Sequence, residues 1–481
     1  MEKKVRPVRV LQFGEGGFLR AFVDWMFDIL NESGECNGSI NVVQPIPCGM
    51  VEQLNEQEGV YSLLMRGLQE GGAVQQLRTI TCINEGIDVY KEFKKYLEQA
   101  HNPDLRYVVS NTTEAGITYD PNDRADMTPP ASFPAKVAVL LYERFRVFSG
   151  AADKGLLFLP CELIDQNGET LKRIVLRYAR EWQLGETFID WVTHCNTFCN
   201  TLVDRIVTGY NREEAEKAGM ADDKLFDTSE LFHLWVIEGG GHYEKELPFA
   251  KAGLHVIWTD DMSFYRTRKV RILNGTHTMT VLAAYLCGLN TVEDCLKDDI
   301  IRTMMERGIY EEIIPAVPLD KEQLTTYAND VFERFANPFI VHKLLSISLN
   351  SVSKWKARVL PTVCEYIEQF DRAPRILSFS LAALMVFYRG KREKEGFVGD
   401  RQGQPYPIAD DQAVLDYFAA AWEAYGQGRL TAAAFVHKIL AREDFWGQNL
   451  NELTGMTEAV AAALTDILQN GMRAAVESLL R

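Results

Sequence analysis

The stretch VRVLQFGEGGFLR, residues 8–20, reads as a strand, a glycine turn and the start of a helix in immediate succession. Val8, Val10 and Leu11 have the branched, apolar character of a buried strand, which closes at Phe13. Beyond the turn, Phe18, Leu19, Phe22, Val23, Met26, Phe27 and Leu30 fall on one helical face. In a dinucleotide-binding fold, glycines at such a turn let the backbone approach a pyrophosphate, which then rests on the helix N-terminus. Gly14 and Gly16 fill the first two places of G-x-G-x-x-G, while Leu19 holds the third. A tight strand-to-helix turn with no ligand has the same local look. Its place after the first strand is what points to a cofactor.

Working outward, Ile40–Val43 reads as a second strand, closed by Gln44 and Pro45. Arg106–Ser110 is a third, followed by the polar loop NTTEAG (111–116), and Leu156–Pro160 is a fourth. Gly253–Trp258 reads as a late strand of the same layer. Strands alternating with amphipathic helices make a parallel α/β layer. After about residue 262 the texture changes: Thr278–Leu286, Glu293–Arg307, Ile340–Asn350, Leu377–Tyr388 and Glu458–Leu480 read as helices, and convincing strands are hard to find. The expectation is an α/β chain with a Rossmann-like dinucleotide-binding domain over 1–261 and a mostly α-helical substrate and catalytic domain over 262–481. With no low-complexity linker, the two are expected to pack closely around the site.

The usual acid at the end of the second strand is missing. Gln44 stands about where an Asp would hold the adenosine ribose, and no arginine follows at once to welcome a 2′-phosphate. The residues by themselves leave NAD against NADP open.

Composition narrows the partners. The chain has 481 residues, enough for two sizeable domains, with 47% hydrophobic and 25% charged residues. Lys and Arg number 51 against 67 Asp and Glu, a net charge of −16, which argues against nucleic acid or anionic membrane as a general partner. The start lacks a signal-peptide pattern and no stretch is apolar enough to span a membrane, so a cytoplasmic home is expected. Nine scattered cysteines suit reduced thiols better than a disulfide framework. Cys195 and Cys199 beside His194 lack a second ligand pair at zinc spacing, so no metal is expected. The oligomeric state stays open.

The second informative stretch is YRTRKVRILNGTH, residues 265–277. It gathers four cations, Arg266, Arg268, Lys269 and Arg271, and places Asn274 and His277 three apart on a helix, where they share a face. Reducing a ketone needs a proton donor for the developing alkoxide and fixed donors that polarise the carbonyl. A lysine crowded by cations, an amide and an imidazole supply both. A solvated basic helix start with a core histidine would look similar by spacing alone.

The pattern K-x-R-[IL]-L-N-x-x-H, with a tyrosine four residues earlier, resembles the signature of the polyol-specific long-chain dehydrogenases of the mannitol dehydrogenase family. Tyr265, Lys269, Arg271, Ile272, Leu273, Asn274 and His277 meet every position. The resemblance implies a zinc-independent oxidoreductase that uses NAD, with Lys269 as general acid/base and Asn274 and His277 holding the substrate carbonyl. QFGEGGFLRAF (12–22) resembles the family's cofactor turn. Cofactor contacts are thereby implied for Phe13, Gly14, Gly16, Gly17 and Phe18, with Gln44, Asn111 and Thr112 at the next two strand ends. TFCNTLVDRI (197–206) resembles the family's F-x-N-x-x-V-D-R-I segment, which implicates Asn200 and Asp204 in substrate binding alongside Arg271. Trp235–Glu238 is similar to a further block, and NSVSK (350–354) to the stretch whose lysine, here Lys354, helps bind substrate. Together these cover most of the chain, from residue 8 to beyond 390.

Two departures touch the pocket. Where mannitol enzymes read C-D-N, this chain reads Cys161-Glu162-Leu163, which removes an asparagine donor and leaves the carbonyl held differently or by Asn200. Ser346 stands where a polyol-binding arginine would align. The pattern suggests the same chemistry on another polyol or on a sugar acid, whose charge would suit Lys354, Lys356 and Arg358. A non-catalytic dinucleotide sensor could shed Lys269, Asn274 and His277; this chain keeps all three.

Overall fold

The computed structural model describes residues 3–69, 72–113, 116–394 and 396–481. Part of the polar loop 111–116 (Glu114 and Ala115) lies outside the described residues. The chain divides into two compact units, Met1–Ser263 and Phe264–Arg481.

The first unit is built on a six-stranded sheet whose observed pairings are all parallel. Its strands are Val8–Phe13, Ser39–Gln44, Ile83–Asp88, Tyr107–Ser110, Leu157–Pro160 and Thr197–Phe198. Numbered within the sheet, they lie in the order 3-2-1-4-5-6, the order of dinucleotide-binding folds. Side chains alternate between two apolar layers: Val10, Val42 and Val109 face one, while Leu11, Phe13, Val43 and Val108 face the other. Burial on both faces explains the apolar runs in Ser39–Gln44, Tyr107–Ser110 and Leu157–Pro160. Ile83–Asp88 at the sheet edge, with Asn84, Glu85 and Asp88, and the two-residue Thr197–Phe198 carry no such run and were not expected. The chain order reverses beside Val8–Phe13, so the glycine turn and the loop after Ser110 flank the switch point.

Two smaller sheets complete this unit. Tyr61–Gln69 pairs antiparallel with Gly72–Ile80 and parallel with Asp227–Glu230. Asn200–Asp204 runs antiparallel to Leu234–Glu238, which pairs parallel with Val256–Thr259. The late strand expected in the main layer is therefore Val256–Thr259, in a separate sheet. Leu254 and Val256 are as apolar as a central strand would be, and nothing in the sequence states which partner they take.

The second unit is mostly helical around one large apolar core. Of the segment 340–350 only Leu344–Ile347 is helical, because its backbone is engaged elsewhere: His342 O accepts from Val292 N at 3.0 Å and Leu344 N donates to Asn290 O at 2.9 Å. An antiparallel sheet of Gly390–Glu393, Gly396–Arg401 and Gln404–Ile408 also stands where no strand was expected. Pro405 and Pro407 argue against a strand; both are exposed, while Tyr406 and Ile408 alternate inward, as edge strands permit.

Candidate functional site

In the first unit the site is assembled by the glycine turn. Gly14 N donates to Val43 O at 3.0 Å, tying the turn to the second strand. Its φ of +113° favours glycine, and a Cβ there would sit 2.8 Å from Asn111 O. Gly17 is crowded as well, since a Cβ would lie 2.9 Å from Asp227 Oδ2. Gly16 differs: its φ is −66° and nothing lies within 4 Å of where a Cβ would be. This glycine leaves open space at the head of a helix, where a pyrophosphate needs backbone access. The turn fits a dinucleotide.

Around it, Asn111 Nδ2 donates to Cys161 O at 3.1 Å. Thr112 donates from both N and Oγ1 to Glu162 Oε1, at 3.0 and 2.9 Å. Ser110 Oγ reaches the other oxygen of Glu162 at 3.0 Å. The carboxyl that replaces the family's aspartate thus shapes the loop after the fourth strand of the sheet, and burial pushes its pKa up. Leu163, in the place of the missing asparagine, is 62% exposed. Gln44 is occupied locally, donating to Ile46 O at 3.1 Å and accepting from Val51 N at 3.4 Å. Phe18 stacks on Phe22, whereas the Phe13 ring packs against Phe133 and Tyr96 in the core, so only its backbone borders the turn.

Asn200 and Asp204 close the strand that pairs with Leu234–Glu238, so the two family-like blocks are neighbours in space. Asn200 is committed on both sides: Nδ2 donates to Glu238 Oε2 at 2.9 Å and Oδ1 accepts from Glu169 N at 3.1 Å. Asp204 is buried opposite Leu234.

In the second unit Lys269, Asn274 and His277 lie on a continuous helix from Ser263 to Leu286, whose middle, Lys269–Asn274, winds as a π-helix. Gly275 N–H reaches back to Val270 O, five residues away. The wider turn has a consequence for phase. At about 100° per residue an α-helix would set Lys269 and Asn274 about 140° apart. Steps of roughly 80° in the π-turn bring them within about 50°, along the face that His277 continues.

His277 is buried between Phe335 and His342, with ring centroids at 4.4 and 5.2 Å. Burial, then the ring of His342 and the charges of Arg358, Arg334 and Lys354, hold its pKa well below the usual histidine value. The imidazole is therefore neutral at physiological pH and offers one N–H. His342 is lowered as well, by burial and by Lys354. Lys354 and Arg358, four apart on the helix Ser351–Arg358, share a face, and Lys354 Nζ donates to Ile347 O at 3.0 Å. Lys356, between them, is exposed, as is Ser346. Arg271 turns elsewhere, donating to Thr362 Oγ1 at 2.8 Å and to Glu365 Oε1 at 3.0 Å. Arg334, Phe335 and His342 escaped the sequence reading, because they come from segments far from the 265–277 stretch and carry no spacing signal.

Among the described residues no group of three or more His, Cys, Asp or Glu side chains is placed to hold a metal ion. Nor is any described helix long and apolar enough to cross a membrane.

The pattern of the mannitol dehydrogenase Rossmann domain matches residues 8–251, and that of the mannitol dehydrogenase C-terminal domain matches 261–468. An altronate oxidoreductase of Pectobacterium atrosepticum is 47% identical over 475 residues, covering 98% of this chain and 96% of its own. Another, from Klebsiella pneumoniae, is 46% identical, covering 98% of this chain and 97% of its own. Among solved structures, the Pseudomonas fluorescens mannitol 2-dehydrogenase ternary complex with NAD and D-mannitol superposes with a TM-score of 0.75 at 21% identity, covering 99% of this chain and 94% of its own. A substrate-free D-sorbitol dehydrogenase reaches 0.79 at 22% identity, covering 98% and 95%. The fold is shared with both, and the chain belongs to the mannitol dehydrogenase family.

Proposed function

We propose that the chain is an NAD-dependent sugar-acid oxidoreductase that reduces D-tagaturonate to D-altronate, reversibly, in hexuronate breakdown. The names of its 45–47% identical relatives support this reading. The observation that carries the substrate class is the positive surround of His277. Arg334, Lys354 and Arg358 come from two helices and all act on the same imidazole. A keto-uronate brings a carboxylate that complements this field.

Bound nicotinamide would supply the hydride for the ketone carbon. Asn274 and the neutral His277 donate hydrogen bonds to the carbonyl oxygen and stabilise the charge that grows there. Lys269 gives its Nζ proton to that oxygen, turning the ketone into an alcohol, and recovers a proton from solvent. Gly14, Gly16 and Gly17 with Asn111 and Thr112 form the cofactor turn, and no metal takes part.

The test is the absorbance change of NADH and NADPH with D-tagaturonate, D-fructuronate and D-fructose, in EDTA. Expected is turnover of D-tagaturonate with NADH, unaffected by the chelator, at a kcat/KM roughly 100-fold or more above that for D-fructose. A preference for D-fructose would contradict the anionic-substrate reading, and a preference for D-fructuronate would replace the named substrate. Loss of turnover in EDTA would contradict metal independence.

A further inference from the structure

We propose that Glu15, set between the two leading glycines of the turn, is the group by which this chain selects NADH over NADPH. It takes the place of the acid missing from the end of the Ser39–Gln44 strand. The proposal rests on the dinucleotide reading of the turn.

In dinucleotide folds the end of the second strand holds the adenosine ribose, where a carboxylate accepts from the 2′-hydroxyl and repels a 2′-phosphate. Gln44 is neutral, and its amide is already bonded to Ile46 and Val51. The Glu15 side chain leaves the turn toward this same place, where its Oε1 accepts from Met50 N at 3.2 Å. A Cβ on Gly49 would run into Glu15 Oε1 and lie 2.5 Å from Gln44 Oε1. The carboxylate and the Gln44 amide oxygen therefore sit side by side over the bare α-carbon of Gly49.

Charges of both signs act on Glu15, Arg20 ahead of Asp88. Asp88 ends the neighbouring strand opposite Gln44 and acts on Glu15 as a second negative charge. Arg20 is itself paired, 3.5 Å from Asp227, and Lys91 lies 3.5 Å from Asp88. A 2′-hydroxyl finds an acceptor at this strand end; a 2′-phosphate meets the Glu15 carboxylate.

Isothermal titration of the full chain with NADH and NADPH, without sugar substrate, tests this. The wild type is expected to bind NADH more tightly. Glu15→Gln keeps an oxygen for Met50 N and removes the charge, so NADPH affinity should rise roughly tenfold with NADH affinity little changed. Gly49→Ala, which displaces the carboxylate, should narrow the preference in the same direction. NADPH affinity unmoved by Glu15→Gln, or both affinities falling together with the melting temperature, would overturn the assignment and leave Glu15 a brace for the Met50 loop. A wild type that binds neither dinucleotide would overturn the reading beneath it as well.

Discussion

Asp24 lies on the helix Gly17–Glu32 that follows the turn, fully buried, with Gln12 Nε2 and Tyr61 Oη each 3.4 Å from its Oδ2. Its Oδ1 has no hydrogen-bond partner among the described residues, and burial raises its pKa from 3.8 to about 7. The folded carboxyl keeps its proton where the unfolded one has lost it. Stability contributed here is therefore present at low pH and drains away as pH rises from about 4 to about 7. Asp24→Asn should remove that slope and stabilise the chain at pH 8 by up to about 4 kcal/mol, with little gain at pH 4. Melting temperatures of both proteins at the two pH values decide it; equal gains would mean the carboxyl is not titrating in this window. At this scale the sequence was legible where residues are consecutive on one helix, as Lys269, Asn274 and His277 are. It was silent where a neighbour arrives from elsewhere, as Arg334 and His342 do. The 265–277 stretch could not reveal that Arg271 reaches for Thr362 and Glu365.

At the scale of elements, the three glycines of one turn separate by geometry. Gly14 needs a positive φ and has Asn111 O against it, so Gly14→Ala should cost both stability and dinucleotide binding. Gly16 has a helix-compatible φ and open space, so Gly16→Ala should melt close to wild type yet bind NADH at least roughly tenfold more weakly, its methyl standing where the pyrophosphate approaches. Melting curves paired with NADH titrations check the contrast. A Gly16→Ala protein with full affinity would move the phosphate site away from this turn. Four strands of the main sheet were legible because burial leaves apolar runs in them; Ile83–Asp88, an edge strand carrying Asn84, Glu85 and Asp88, and the two-residue Thr197–Phe198 were not. The 390–408 sheet was not, since its strands bury few residues and the last, Gln404–Ile408, contains two exposed prolines. The π-turn at 269–274 was also hidden, because adding one residue to a turn leaves composition and apolar spacing almost unchanged.

For the whole molecule, two compact units carry different parts of the account. Met1–Ser263 holds the turn and the strand ends that fit a dinucleotide, and Phe264–Arg481 holds Lys269 with Asn274, His277 and their cations. The net charge of −16 is set against a positive surround of His277, so the charge that matters for an anionic substrate is local. The measurement that tests this division most directly is Lys269→Ala, followed by NADH titration and by turnover of D-tagaturonate on the same preparation. The account predicts NADH affinity within a few-fold of wild type and kcat lower by roughly a thousandfold or more. Turnover that survives the substitution would contradict it, because the proton would then come from a group other than Lys269.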